Sequence, residues 1–228
     1  MLNHSFTLLW LTLFVYWVVN ILRARTGSVL VNPVAWSTFA VIVYLRLFDI
    51  DYATYHGAAQ YIDFWLKPAV VGLAVPLYLS WGKIRRQWLP IILSQTAGSL
   101  TGMVSVVWLA KMSGSGREVM LSLAAKSVTT PIALEVTKAI GGIPPITAAT
   151  VILAGLVGQV AGYQIMRRSR VRRPMSQGMS MGSASHAMGI AASLERSKKF
   201  AAYASLGLIL NGIITAALAP FVVPLLVD

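Results

Sequence analysis

Six apolar runs, at residues 6–22, 33–48, 64–81, 88–110, 146–166 and 200–218, divide this chain, and short clusters of Lys and Arg separate several of them. The hydrocarbon core of a bilayer takes about 20 mainly apolar helical residues to cross. Runs of this kind restrict the chain to helices in a membrane, because a helix satisfies its own backbone hydrogen bonds where water cannot. Composition agrees: 57% of the residues are hydrophobic and 11% charged. A soluble domain carries about 25% charged residues, so this chain lacks the polar surface to enclose a water-soluble core. The expected fold is all-α and polytopic, with residues 1–228 as a single integral membrane domain.

The charge balance is strongly basic, 19 Lys and Arg against 7 Asp and Glu, a formal +12. The excess is broken into Arg23 and Arg25, then Lys83, Arg85 and Arg86, then Arg167, Arg168, Arg170, Arg172 and Arg173. Clusters between apolar runs mark cytoplasmic loops by the positive-inside rule rather than a nucleic-acid surface, so no nucleic-acid partner is expected. The absence of Cys excludes disulfide scaffolds, thiolate metal sites and cysteine nucleophiles. His4, His56 and His186 are too scattered for a metal site, and no cofactor is expected. Gly178-Met179-Ser180-Met181-Gly182 matches a nucleophile elbow, but Arg172-Arg173-Pro174 precedes it where that motif needs a strand. The chain is read as a non-enzyme with no catalytic residues.

Charge also orders the spans. If the Lys83 and Arg167 clusters both lie inside, the run at 88–110 ends outside and the run at 146–166 begins outside. Residues 117–140 must then enter and leave on one side, as a re-entrant element. At its centre stands Lys126-Ser127-Val128-Thr129-Thr130-Pro131, where Pro131 removes a backbone donor and the β-branched pair weakens the helix. Residues 179–196 lie between the Arg167 cluster and Arg196, Lys198 and Lys199, so both ends look cytoplasmic. Their small, polar run from Gly182 to Gly189 suits a second re-entrant or interfacial element entering from inside. The expectation is about six full spans plus two broken-helix elements from opposite faces, an arrangement known from inverted-repeat transporters, although no sequence repeat is visible.

A half-helix restarting at Pro131 would present free N–H groups and a positive dipole end, suited to a carboxylate, with the Thr129 and Thr130 hydroxyls beside it. The alternative is a proline kink whose hydroxyls are satisfied by backbone. Glu135, one turn later, is either a proton carrier coupled to substrate movement or an ion-pair partner for Lys138 or Lys126. His186, flanked by Ser183 and Ser185, either contacts an anion or relays a proton, or else packs on a face that Ser185, Gly189 and Ser193 repeat every fourth residue. Gly98-x-x-x-Gly102 and Gly158-x-x-x-Gly162 are small-residue stripes suited to close helix packing.

The run Lys126-Ser-Val-Thr-Thr-Pro-Ile-Ala-Leu-Glu135 and the following Ile140-Gly-Gly-Ile-Pro144 resemble the hallmark of the LrgB/CidB family of bacterial membrane proteins. Gly72-Leu-Ala-Val-Pro-Leu-Tyr78 and Gly182-Ser-Ala-Ser-His-Ala-Met-Gly189 resemble two further family blocks, in order. The resemblance implies an antiholin-like role in murein hydrolase activity and autolysis, beside a small LrgA/CidA-type membrane partner. It also implies carriage of small monocarboxylates, since plant relatives exchange glycolate and glycerate across the plastid envelope and bacterial members are linked to pyruvate. The motif positions that carry over are Ser127, Thr129, Thr130, Pro131, Ser185 and His186 for substrate, Glu135 for coupling, and Pro76, Gly141 and Gly142 as hinge or broken-helix positions. A secondary transporter of glycolate, glycerate, lactate or pyruvate type, acting as a homodimer, is the leading expectation. An antiholin-like regulator working by oligomerisation is the alternative.

Overall fold

The computed structural model describes residues 2–28, 31–65, 68, 71, 75, 78 and 81–227, and every regular element among them is helical. The helices gather into two compact units, Met1–Val71 and Gly72–Asp228. Among the described residues four helices are long and apolar enough to cross a bilayer: Phe6–Thr26, Trp88–Met112, Pro144–Arg168 and Lys198–Val227. The chain is therefore an all-helical membrane protein. Of the other two expected spans, the run at 64–81, with Pro76, lies largely outside the described residues.

In the first unit, α1 (Leu2–Thr26) packs against α2 (Pro33–Leu47) and α3 (Tyr52–Asp63). Asn32 starts α2 by accepting hydrogen bonds from the N–H groups of Val34 (2.9 Å) and Ala35 (3.1 Å), with Pro33 at a first-turn position that needs no donor. Such a cap contributes about 1 kcal/mol. At 15 residues α2 is about 22 Å long, short of the ~30 Å hydrocarbon core. The acidic stretch from Asp49 to Asp63, expected outside the membrane, contains α3, which Asp51 caps by accepting from the Ala53 N–H at 3.2 Å. Phe6, Trp10, Phe14 and Trp17 of α1 are 57–63% exposed, which suits lipid and not water.

The second unit contains α4 (Trp81–Arg86), α5 (Trp88–Met112), α6 (Arg117–Leu123), α7 (Thr130–Ile140), α8 (Pro144–Arg168), α9 (Pro174–Arg196) and α10 (Lys198–Val227). Helices α5 and α10 run parallel. Ile91 clusters with Leu206 and Leu210, Ser99 meets Asn211, and the Lys111 ammonium donates to the carbonyls of Leu226 and Val227. One end of this frame carries Arg167, Arg168, Arg170, Arg172, Arg173, Arg196, Lys198 and Lys199. The other holds the α5–α6 turn, the α7–α8 turn and the C-terminus of α10.

Two shorter devices enter the frame, one from each end. Helices α6 and α7 form a hairpin whose base is tied by hydroxyls. Ser122 Oγ accepts from the Ile143 N–H (2.6 Å), Thr147 Oγ1 donates to the Ser122 carbonyl (2.9 Å), and Thr137 and Thr147 share a 2.8 Å bond. Gly141 ends α7 in the left-handed conformation (φ 81°), and Gly142 packs so closely on Ser122 and Thr137 that a Cβ would lie within 3.0 Å of both. Helix α9 is broken at His186 (φ 43°, ψ −129°), and its second half folds back. Gly189 lies against the Met181 carbonyl, where an unbroken helix would hold residues 181 and 189 about 12 Å apart.

Gly158 and Gly182 allow the α9 hairpin to seat at mid-height between α8 and α10. A Cβ on Gly158 would stand 1.5 Å from Ser185 Oγ, and one on Gly182 would stand 1.8 Å from the Ala204 carbonyl oxygen. The two stripes of small residues behave differently. Gly158 and Gly162 meet α9, whereas Gly98 has open space beside it and Gly102 approaches only Ser127 Oγ, at 3.8 Å.

Candidate functional site

The first interruption lies between Leu123 and Thr130. Turn bonds from the Lys126 N–H to the Leu123 carbonyl and from the Val128 N–H to the Ala125 carbonyl end α6. Thr129 is extended, and Thr130-Pro131 start α7 where proline's missing donor costs nothing. The second interruption is His186. Both stand near mid-height of the long helices, Ser127 opposite Gly102 of α5 and Ser185 opposite Gly158 of α8.

Asn211 of α10 joins them. Its side chain is 1% exposed, and Nδ2 donates to the carbonyls of Ser127 and Ser183, each at 3.0 Å. Its Oδ1 accepts from Ser99 Oγ, and Ser183 Oγ donates to Gln95 Oε1. One amide thus satisfies backbone from both interrupted elements and ties them to α5. Neither Gln95 nor Asn211 is among the site residues expected from the sequence. Their signal was that each is a lone amide in an apolar run, which is costly in a membrane unless it is paired or functional.

A cavity of about 960 Å³ adjoins this junction, lined by Gln95, Ser99, Lys126, Ser127, Ser183 and Asn211 among others, and it extends to Gln87 and Arg173 at the basic end. Lys126 is partly buried, and its ammonium donates to Ser127 Oγ at 3.1 Å. Among the described residues no carboxylate lies within ion-pair distance of it. A second, mainly apolar cavity of about 580 Å³ shares Lys126, Ser180 and Ala184 with the first and also touches Ser185.

The expected site residues separate on this geometry. Ser127 lines the large cavity and Ser185 the apolar one, while Thr129, Thr130, Pro131 and His186 line neither. Thr129 Oγ1 and Ser185 Oγ are buried with no hydrogen-bond partner among the described residues. His186, 5% exposed, donates from Nε2 to the Val151 carbonyl of α8 at 2.9 Å. That bond holds the hairpin tip against α8. Glu135 is 70% exposed on the outer face of α7 and accepts from Lys138 at 3.1 Å, so of its two readings the ion pair is the one present. Pro76 lies outside the described residues.

No solved structure matches this chain. A protein of Haemophilus influenzae, named only as uncharacterized, is 35% identical over 95% of this chain and 94% of its own length. The Bacillus subtilis protein YxaC is 32% identical over 93% of each. A Bacillus mycoides protein named antiholin-like protein LrgB is 32% identical over 87% of this chain and 86% of its own. The LrgB-like family profile matches residues 12–225, so the match includes the interrupted helices, the amide junction and the cavity between them. With nearly the whole length matched and these relatives aligned end to end, the chain belongs to the LrgB-like family.

Proposed function

We propose that this LrgB-like protein is a secondary transporter of small monocarboxylates, of glycolate, glycerate, lactate or pyruvate type, in the bacterial cytoplasmic membrane. In this reading the basic end is cytoplasmic, and the chain has about six full spans and two re-entrant elements that meet near the bilayer midplane as an inverted pair. The observation that carries it is the Asn211 amide bonded to carbonyls of both interrupted elements, beside a chamber that Gln95, Ser99, Lys126 and Ser127 help to line. Backbone freed by a broken helix cannot face lipid, so it is tolerated where it lines a cavity or is buried in protein. A carrier uses such broken elements as its moving, solute-binding parts. A purely structural oligomer has no need of them.

The name of the Bacillus mycoides relative, antiholin-like protein LrgB, supports a second reading more directly than the first: an antiholin-like regulator of murein hydrolase export or activity that works by oligomerisation. A homodimer and a small LrgA/CidA-type membrane partner belong to that reading, and the homodimer also suits a carrier this short. Purified protein in proteoliposomes separates the two. Uptake of labelled lactate, glycolate or pyruvate that saturates and is competed by unlabelled acid supports the carrier. Uptake that is absent, or a leak that rises linearly with concentration and is equal for uncharged solutes, refutes it and favours the regulator.

A further inference from the structure

We propose that Lys126 is the anion-recognising group of the large chamber, and that it selects compact solutes carrying a single negative charge. The inference rests on the chamber being the solute site of the transport reading, and it adds a residue and a charge rule. An ammonium has three N–H donors, and the one hydrogen bond Lys126 makes, to Ser127 Oγ, leaves two for a ligand. The described acids of the second unit are placed elsewhere: Glu135 pairs with Lys138 on the outer face of α7, Glu118 lies in the first turn of α6, and Glu195 sits in the last turn of α9.

The chamber's remaining lining sharpens the rule. Among the described residues its charged lining is Lys126 and Arg173, with no acid, so their field attracts anions. Arg173 stands at the start of α9, ten residues before Ser183, which puts it about 15 Å along the helix from the junction. Among the described residues the junction itself therefore holds one cation, Lys126, and a second carboxylate of a short dianion would meet no matching charge there. Arg173 can draw an anion into the mouth, while Lys126 alone meets it at the junction. The hydroxyls of Ser99, Ser127 and Ser183 and the amide of Gln95 surround that point, which suits a solute with a carboxylate and a neighbouring hydroxyl or keto oxygen.

The test is calorimetric titration of the full chain in lipid nanodiscs with lactate, pyruvate and malonate. Wild type should bind the two monoanions, and malonate about tenfold more weakly or worse. Lys126→Arg should retain binding, and Lys126→Gln should weaken it about tenfold or more, the loss expected for one charge-assisted hydrogen-bonding group. Unchanged affinity in Lys126→Gln, or malonate bound as well as lactate, overturns the inference. Should that variant fail to fold, reductive methylation of wild type replaces it. Lactate, but not neutral lactamide, should slow modification of Lys126 relative to Lys198, and equal rates overturn the proposal. Saturable uptake unaffected by Lys126→Gln removes this inference and leaves transport standing. Anion binding lost in Lys126→Gln without any uptake does the reverse, and a wild type that binds no anion refutes both.

Discussion

Gly158→Ala asks whether the broken tip of α9 really seats against mid-height of α8. The added methyl would stand 1.5 Å from Ser185 Oγ and 2.6 Å from its Cβ, and Ser185 is fully buried. Turning the Ser185 hydroxyl aside still leaves its Cβ at 2.6 Å, so the hairpin tip or α8 has to move by nearly an ångström, which places the cost near the top of the overpacking range, about 3 kcal/mol. Alanine's better helix propensity returns up to about 1 kcal/mol, so a net loss of about 2 kcal/mol is expected. Ser185→Gly removes both clashing atoms and leaves Ser185 Cα at 3.6 Å, an ordinary contact. In that background Gly158→Ala should be neutral or stabilising by up to about 1 kcal/mol. The coupling between the two sites is then about 2–3 kcal/mol. Gly98→Ala, with nothing within 4 Å, is the control and should not destabilise. The assay is unfolding in graded SDS micelles followed by tryptophan fluorescence. A Gly158→Ala penalty below about 0.5 kcal/mol, or one of equal size with and without Ser185→Gly, refutes the seating.

Asn211→Ala should cost about 3 kcal/mol in the same assay, for three hydrogen bonds of about 1 kcal/mol each, and Ser99→Ala about 1 kcal/mol. Equal losses would remove Asn211 from its joining role. Topology is read with single cysteines at exposed positions in the Cys-free chain. Ser113→Cys and Ala139→Cys should both react with an impermeant maleimide from outside, and Ser169→Cys and Lys198→Cys only after the cells are opened. Residues 113 and 139 reacting from opposite sides would rule out a re-entrant α6–α7.

The helix interruptions were largely legible from local chemistry. Pro131 behind two β-branched residues names its own break, and the Gly141-Gly142 pair names the end of α7. The second break was legible only as a polar, small-residue run that could not face lipid. Its placement at His186 follows from packing: the ring reaches Val151, and Gly158 leaves room for the tip. Glu135 shows how much depends on a helical face. It shares α7 with buried Ala133, Val136 and Thr137, and at 100° per residue those three point it and Lys138 outward.

What the sequence determined by itself is therefore what local rules and the bilayer govern: helices, the basic end, the family and the break before Pro131. Tertiary structure decided what long-range contacts govern. Two stripes with the same Gly-x-x-x-Gly spacing have different uses, one seating α9 and the other bordering a cavity, because spacing describes a helix face and not what meets it. Asn211 looked like one polar residue in a long apolar helix. Only folding brings Ser99, Ser127 and Ser183, from three other segments, within its reach, since an amide's partners in a membrane interior are set by which helices cross there.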